Sequence, residues 1–118
     1  MIPALQLDFV AVTETDGVLI VGFADDPFET TAYFMLQRAE PRTDAEVYFE
    51  RDGQQHSGYG RVRRWTLSRC QLELELEESL ASRLELPNAF AVRFLCDDAA
   101  FEQLGAALLR VFSGKGQP

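Results

Sequence analysis

Lysine and arginine are absent from the first 37 residues of this chain, which hold six carboxylates. Over all 118 residues there are 19 Asp+Glu against 11 Lys+Arg, a net charge of −8. That balance repels phosphate backbones and anionic headgroups at long range, and so disfavours nucleic-acid and membrane-surface partners. Only residues 38–69 are locally basic, with seven Arg and five acids. Cysteine is scarce as well. Cys70 and Cys96 have no zinc-ligand spacing and lack the density of a disulfide scaffold, so they are expected as free thiols in a cytoplasmic protein. No basic segment precedes an apolar stretch at the N-terminus, so no secretory signal is expected. The longest apolar run, Gly17 to Ala24, is too short for a membrane span. Gly-rich phosphate loops, nucleophile elbows, metalloprotease helices and paired-Cys zinc motifs are all missing, and no metal or cofactor is expected.

What is there suits one ordinary domain over residues 1–118, with 113–118 as a fraying tail. The content is 47% hydrophobic and 25% charged, and a chain of this length buries about two-thirds of its unfolded surface without staples.

Period-2 alternation predicts a strand at Leu5 to Phe9, and the apolar run Val18 to Phe23 predicts a second. Thr13 to Gly17 joins them as a hairpin ending in Asp16-Gly17, a pair suited to positive φ, and Gly22 marks a bulge. Asp25 to Glu29 is a loop, because Pro27 pushes Asp26 away from helix and short carboxylates bond nearby amides. Ala32 to Gln37 is a central strand, residues 39–44 a connection, Glu46 to Glu50 a fourth strand, and Asp52 to Gly60 a polar, glycine-rich stretch.

The strongest pattern is a hairpin of residues 62–69 and 71–77. An even-numbered loop centred between Arg69 and Cys70 pairs Leu67 with Leu72, Trp65 with Leu74 and Arg64 with Glu75, which puts apolar side chains on one face and Glu73, Glu75 and Glu77 on the other. Ser79 is placed as the cap of a short helix over Leu80 to Leu86, ended by Pro87-Asn88. A strand through Phe90, Val92, Phe94 and Cys96 follows, then a helix from about Asp98 to Phe112 capped by Asp97 or Asp98, with Phe101, Leu104, Leu108, Val111 and Phe112 as its apolar stripe. The expected class is α+β: a mostly antiparallel sheet of six or seven strands, one face covered by helix and the other carrying the glutamates.

Catalytic chemistry finds little footing. His56 and Ser57 are adjacent, and neighbouring side chains in an extended loop diverge where a nucleophile and its base must meet. Asp25, Asp26 and Glu29 match no Ca²⁺ loop. Arg61, Arg63, Arg64 and Arg69 interleave with Tyr59 and Trp65 as in a stacking surface for nucleic acid, but strand alternation splits the patch and Glu75 matches Arg64. The phenylalanines and the Met35 strand are assigned to the core.

Val21-Gly22-Phe23-Ala24-Asp25-Asp26-Pro27-Phe28, running on through Tyr33-Phe34-Met35-Leu36-Gln37-Arg38, resembles the signature of a bacterial polymorphic-toxin immunity family, the immunity protein 10 family. Val47-Tyr48-Phe49-Glu50, Tyr59-Gly60, Trp65-Thr66-Leu67-Ser68-Arg69 and the terminal Phe101, Leu104 helix are similar to the same pattern, so the resemblance spans about residues 7–112. One departure is Arg61, where a second glycine follows Tyr-Gly in the family pattern. The resemblance implies a small cytoplasmic α+β protein that binds a protein toxin and blocks it without chemistry. The resemblance carries over no binding residues; the acidic surface makes Asp25, Asp26, Glu29, Glu73, Glu75 and Glu77 the candidate contacts for a basic toxin site. Two alternatives stand beside it: a self-associating or ligand-binding module that dimerises through a sheet edge, and a small hydrolase using Asp25, Asp26 or His56.

Overall fold

A computed structural model describes residues 2–39 and 46–112. Among these residues the chain forms nine strands and two helices: β1 (Ala4–Gln6), β2 (Phe9–Thr15), β3 (Val18–Ala24), β4 (Tyr33–Ala39), β5 (Val47–Arg51), β6 (Ser57–Gly60), β7 (Val62–Ser68), β8 (Gln71–Leu76), α1 (Glu78–Leu84), β9 (Ala89–Arg93) and α2 (Asp98–Val111). The class is α+β, as expected. The strands are divided between two sheets, one ordered β2-β3-β4-β5-β6 and wholly antiparallel, the other β1-β9-β8-β7 with a single parallel pair, β1 on β9.

Two hairpins follow directly from local chemistry. Asp16 (φ 53°) and Gly17 (φ 79°) form the two-residue turn between β2 and β3, both in the left-handed region that Asp tolerates and Gly prefers. Arg69-Cys70 joins β7 to β8 with Cys70 at φ 72°, and the pairs Leu67↔Leu72, Trp65↔Leu74 and Arg64↔Glu75 fall in the expected register. An irregularity between Val62 and Arg64 leaves Arg63 outside the pairing.

Other elements differ from expectation for identifiable reasons. The alternating run Leu5 to Phe9 is cut: Leu5 pairs with Val92 in one sheet, Leu7 dives into the core, and Phe9 opens β2 in the other sheet. Alternation reports which side of a chain is apolar, not which sheet it joins. Thr13 to Thr15 therefore belong to β2 rather than to the turn. No bulge occurs at Gly22, whose pairing with Ala11 and Met35 is uninterrupted. Ser57 to Gly60, expected as part of a polar loop, forms edge strand β6. The cap position of α1 is held by Glu77, not Ser79, and Glu85 ends the helix in left-handed geometry (φ 55°) before Pro87 is reached. Amides of Glu85 and Leu86 then close on the carbonyls of Ser82 and Ala81. Asp97 caps α2 as expected, its carboxylate accepting from the Ala100 amide at 2.8 Å. From residue 40 the 39–44 connection, and all of the 113–118 tail, lie outside the described residues.

One apolar core lies between the inward faces of the two sheets and both helices. Phe34 is its link: its ring lies 5.8 Å from Phe49 within the same sheet and 5.6 Å from Phe90 across the gap, while Phe23 reaches Phe94 at 5.4 Å. Helix α2 packs on β2 and β3, and the Phe112 ring just beyond its last turn meets Trp65 of β7 at a 45° tilt, 5.0 Å between centroids. Arginine side chains secure the helix ends. Arg51 donates to the carbonyls of Leu84 and Glu85, Arg38 to that of Val111, and Arg110 makes a two-pronged pair with Glu14 on β2. The close backbone approach of Tyr59-Gly60 falls on Gly60, where a Cβ would stand 2.7 Å from Glu77 Oε1 and 2.8 Å from Leu80 Cδ2; Arg61 is exposed.

Candidate functional site

The acidic loop between β3 and β4 is built by its own carboxylates. Asp26 accepts from the amides of Phe28 and Glu29, both at 2.9 Å, and so folds the turn that Pro27 begins. Asp25 accepts from the amides of Thr31 (3.0 Å) and Ala32 (3.1 Å) and from the Thr31 hydroxyl, which closes the loop's far end. The Thr31 hydroxyl bond, then the Ala32 amide, pull the Asp25 carboxyl down to about 2, and the Glu29 and Phe28 amides lower Asp26 in the same sense. Both remain anionic while bonding the amides of the loop. Glu29 is exposed, and between it and Asp26 the loop thrusts out Phe28, 93% exposed.

The glutamate row is shorter than expected. Glu73 and Glu75 stand on the outward face of β8 opposite Thr66 and Arg64, half-buried, with Arg64 Nε 4.0 Å from Glu75. Strand β8 ends at Leu76. Glu77 turns away, its carboxylate accepting the Arg61 amide at 3.1 Å, so it does not extend the row. A shallow concavity of about 260 Å³ lies over this face between Ile2, Arg64, Glu75 and Ala89. The loop acids and the glutamate row occupy different sheets and are not brought together.

A third surface escaped sequence reading: the outward face of the five-stranded sheet. Pairing places Phe9, Ala24 and Tyr33 in one row across the strands and Ala11, Gly22, Met35, Glu50 and Ser57 in the next. Between Phe9, Tyr33, Met35 and Pro27 opens a groove of about 460 Å³ with Gly22 on its floor. Phe9 is 46% exposed and Phe28 almost wholly so, which corrects their assignment to the core; Met35 likewise points out of it, half-buried. Beside Met35 the Glu50 carboxylate accepts from the hydroxyls of Tyr33 and Tyr48. Burial first, then the bond to Glu50, pushes Tyr33 up to about 12 and raises Tyr48 as well. The Tyr59 ring meets that of Tyr48 at a 58° tilt, 5.2 Å between centroids.

The residues once weighed for catalysis are occupied otherwise. His56 Nε2 lies 2.9 Å from Glu85 Oε2, whereas the Ser57 hydroxyl donates to the Gln54 carbonyl at 2.6 Å. Arg69 is spent on Asp98 at 2.7 Å and on the Phe101 ring, and Trp65 is buried, so the arginine and aromatic residues of 59–69 form no common platform. Among the described residues no group of three or more His, Cys, Asp or Glu is placed to hold a metal ion, and no helix is long and apolar enough to cross a membrane.

The α+β sandwich thus carries hydrogen-bonded acids at one loop and an apolar groove on one open face. The family model described as Immunity protein 10 matches residues 6–102, and the chain belongs to that immunity protein family. Membership suggests a toxin-neutralising role, and the family is generally non-catalytic. No curated protein matches the chain.

Proposed function

We propose that this protein is a non-catalytic immunity protein that acts in the bacterial cytoplasm by binding one cognate protein toxin and covering its basic working surface. The observation that carries the reading is the family match over residues 6–102. The net charge of −8 supports the electrostatic part, because a cationic toxin groove is drawn to an anionic surface and encounter is accelerated. Asp25, Asp26 and Glu29 on the β3–β4 loop and Glu73 and Glu75 on β8 are the proposed sources of that field, with Glu77 contributing charge but engaged by Arg61. Nucleic acid and anionic membrane are disfavoured by the same charge.

The test is to look for a toxin gene next to this chain's own and, with its purified toxin domain, to follow association by stopped flow. Charge reversal of Glu73 and Glu75 to Lys is expected to slow association several-fold at low ionic strength, with the difference shrinking as salt is added. Equal rates at low salt would remove that row from the steering surface. Failure of the wild-type protein to bind or protect against that toxin would remove the immunity reading itself.

A further inference from the structure

We infer that the toxin docks on the outward face of the five-stranded sheet, seating one apolar side chain over Gly22 with a Lys or Arg beside it facing the acids of the β3–β4 loop. The inference rests on the immunity reading and says which face carries it out. Gly22 is the first observation. It lies mid-strand in an unbroken ladder without positive φ, so the backbone does not call for glycine, and glycine weakens a strand interior. A Cβ built there would meet nothing within 4 Å. The missing side chain therefore serves no neighbour in this protein; it leaves the floor of the groove open to something else.

The walls of the groove suit an apolar guest. Phe9, Met35, Tyr33 and Pro27 surround the floor, and Phe28 stands exposed on a loop that two carboxylates fix in place. Rigid aromatic anchors around a pocket are the usual centre of binding energy in a protein interface. Charge sets the second half of the guest's description. Asp25, Asp26 and the exposed Glu29 stand on the loop at the end of this face, Glu50 in its second row is buried under the hydroxyls of Tyr33 and Tyr48, and among the described residues the face's register positions on β2 to β6 include no Lys or Arg. Arg38 and Arg51 project to the other side, toward the helix ends. The loop carboxylates keep their negative charge while bonded to their own amides, so an acidic rim would be repelled by them and a basic toxin surface attracted. Glu73 and Glu75, on the outward face of the other sheet, then act only at a distance.

Gly22→Val tests this directly, because it fills the floor without touching the loop or the core. The variant should keep or raise the melting temperature, and its complex with the toxin domain used in the association test should dissociate at least tenfold faster by surface plasmon resonance. Phe28→Ala, a surface change, should also weaken the complex at least tenfold, and the Met35 methyl resonance should shift when toxin is added to the wild-type protein. The Glu73→Lys, Glu75→Lys double variant should slow association yet leave dissociation unchanged. Wild-type dissociation from both Gly22→Val and Phe28→Ala, with the toxin still bound and neutralised, would overturn the docking face and leave the immunity reading intact. Loss of self-association in Gly22→Val with toxin binding unaffected would assign the groove to a second copy of this chain and equally overturn it. No binding by the wild-type protein would overturn both.

Discussion

Two phenylalanines six positions apart, Phe28 and Phe34, should answer truncation in opposite ways. Phe34 is fully buried and touches the rings of Phe23, Phe49 and Phe90, so it ties the middle of one sheet to the middle of the other. Phe34→Ala removes a buried ring and leaves a cavity, a change that costs about 3–5 kcal/mol in protein cores. Three ring partners, each adding about 0.5–1.5 kcal/mol beyond area, place this site at the upper end, near 5 kcal/mol. A domain of this size has about 5–15 kcal/mol in all. The urea midpoint should therefore fall by about 2 M and the melting temperature by about 20 °C, both read by circular dichroism. Phe28→Ala should change stability by less than about 0.5 kcal/mol, since the exposed ring loses almost no contact on truncation. A loss below about 2 kcal/mol for Phe34→Ala would refute the placement of that ring between the sheets. A comparable loss for Phe28→Ala would mean that the loop folds back onto the body of the protein.

Acid and alkali should each find one weak point. Asp25 falls from an ordinary value near 3.8 to about 2 in the folded protein, so its hydrogen bonds stabilise fully above pH 3.8 and lose their contribution as pH falls toward 2; melting temperature against pH should be flatter on that limb in Asp25→Ala. Tyr33 moves the other way, from 10 to about 12, so its contribution is complete below pH 10 and disappears as pH rises to 12; Tyr33→Phe should lessen the alkaline dependence in the same scan, leaving the part due to Tyr48, which is raised as well. Cys70→Gly relieves a left-handed residue at the β7–β8 turn at some entropic cost, for a net gain of about 0.5 kcal/mol in urea melts.

What was readable in the sequence was local. The β7–β8 register could be derived because both strands, their turn and their alternating leucines lie within fifteen residues, so one slip would have turned the leucines outward. Asp16-Gly17 and the Asp97 cap were readable for the same reason, each being a bond between near neighbours. Membership of two sheets was not readable, because Leu5 and Phe9 differ only in distant partners, Val92 and Ala24. Strand β6 was hidden by its composition: Ser57-Gly58-Tyr59-Gly60 has no β-branched residue and is held by its pairing with β5, while Gly60 admits Leu80 of α1. Of the candidate site, the Asp25 and Asp26 loop was found from Pro27 and the paired acids. The open face beside it was not, because Phe9, Tyr33 and Met35 are as hydrophobic as core residues and only the finished pairing shows that they point away from it.

The parallel pairing of β1 with β9 has a consequence for the timing of synthesis. Residues 4–6 leave the ribosome long before residues 91–93, the strand with which they pair among the described residues, so β1 must wait unpaired while the intervening strands and α1 are translated. The hairpins can form as they emerge, but the sheet that holds β1 closes last. A nascent chain stalled before residue 89 should therefore present a half-built body whose leading strand is open to proteases and to stray β-partners.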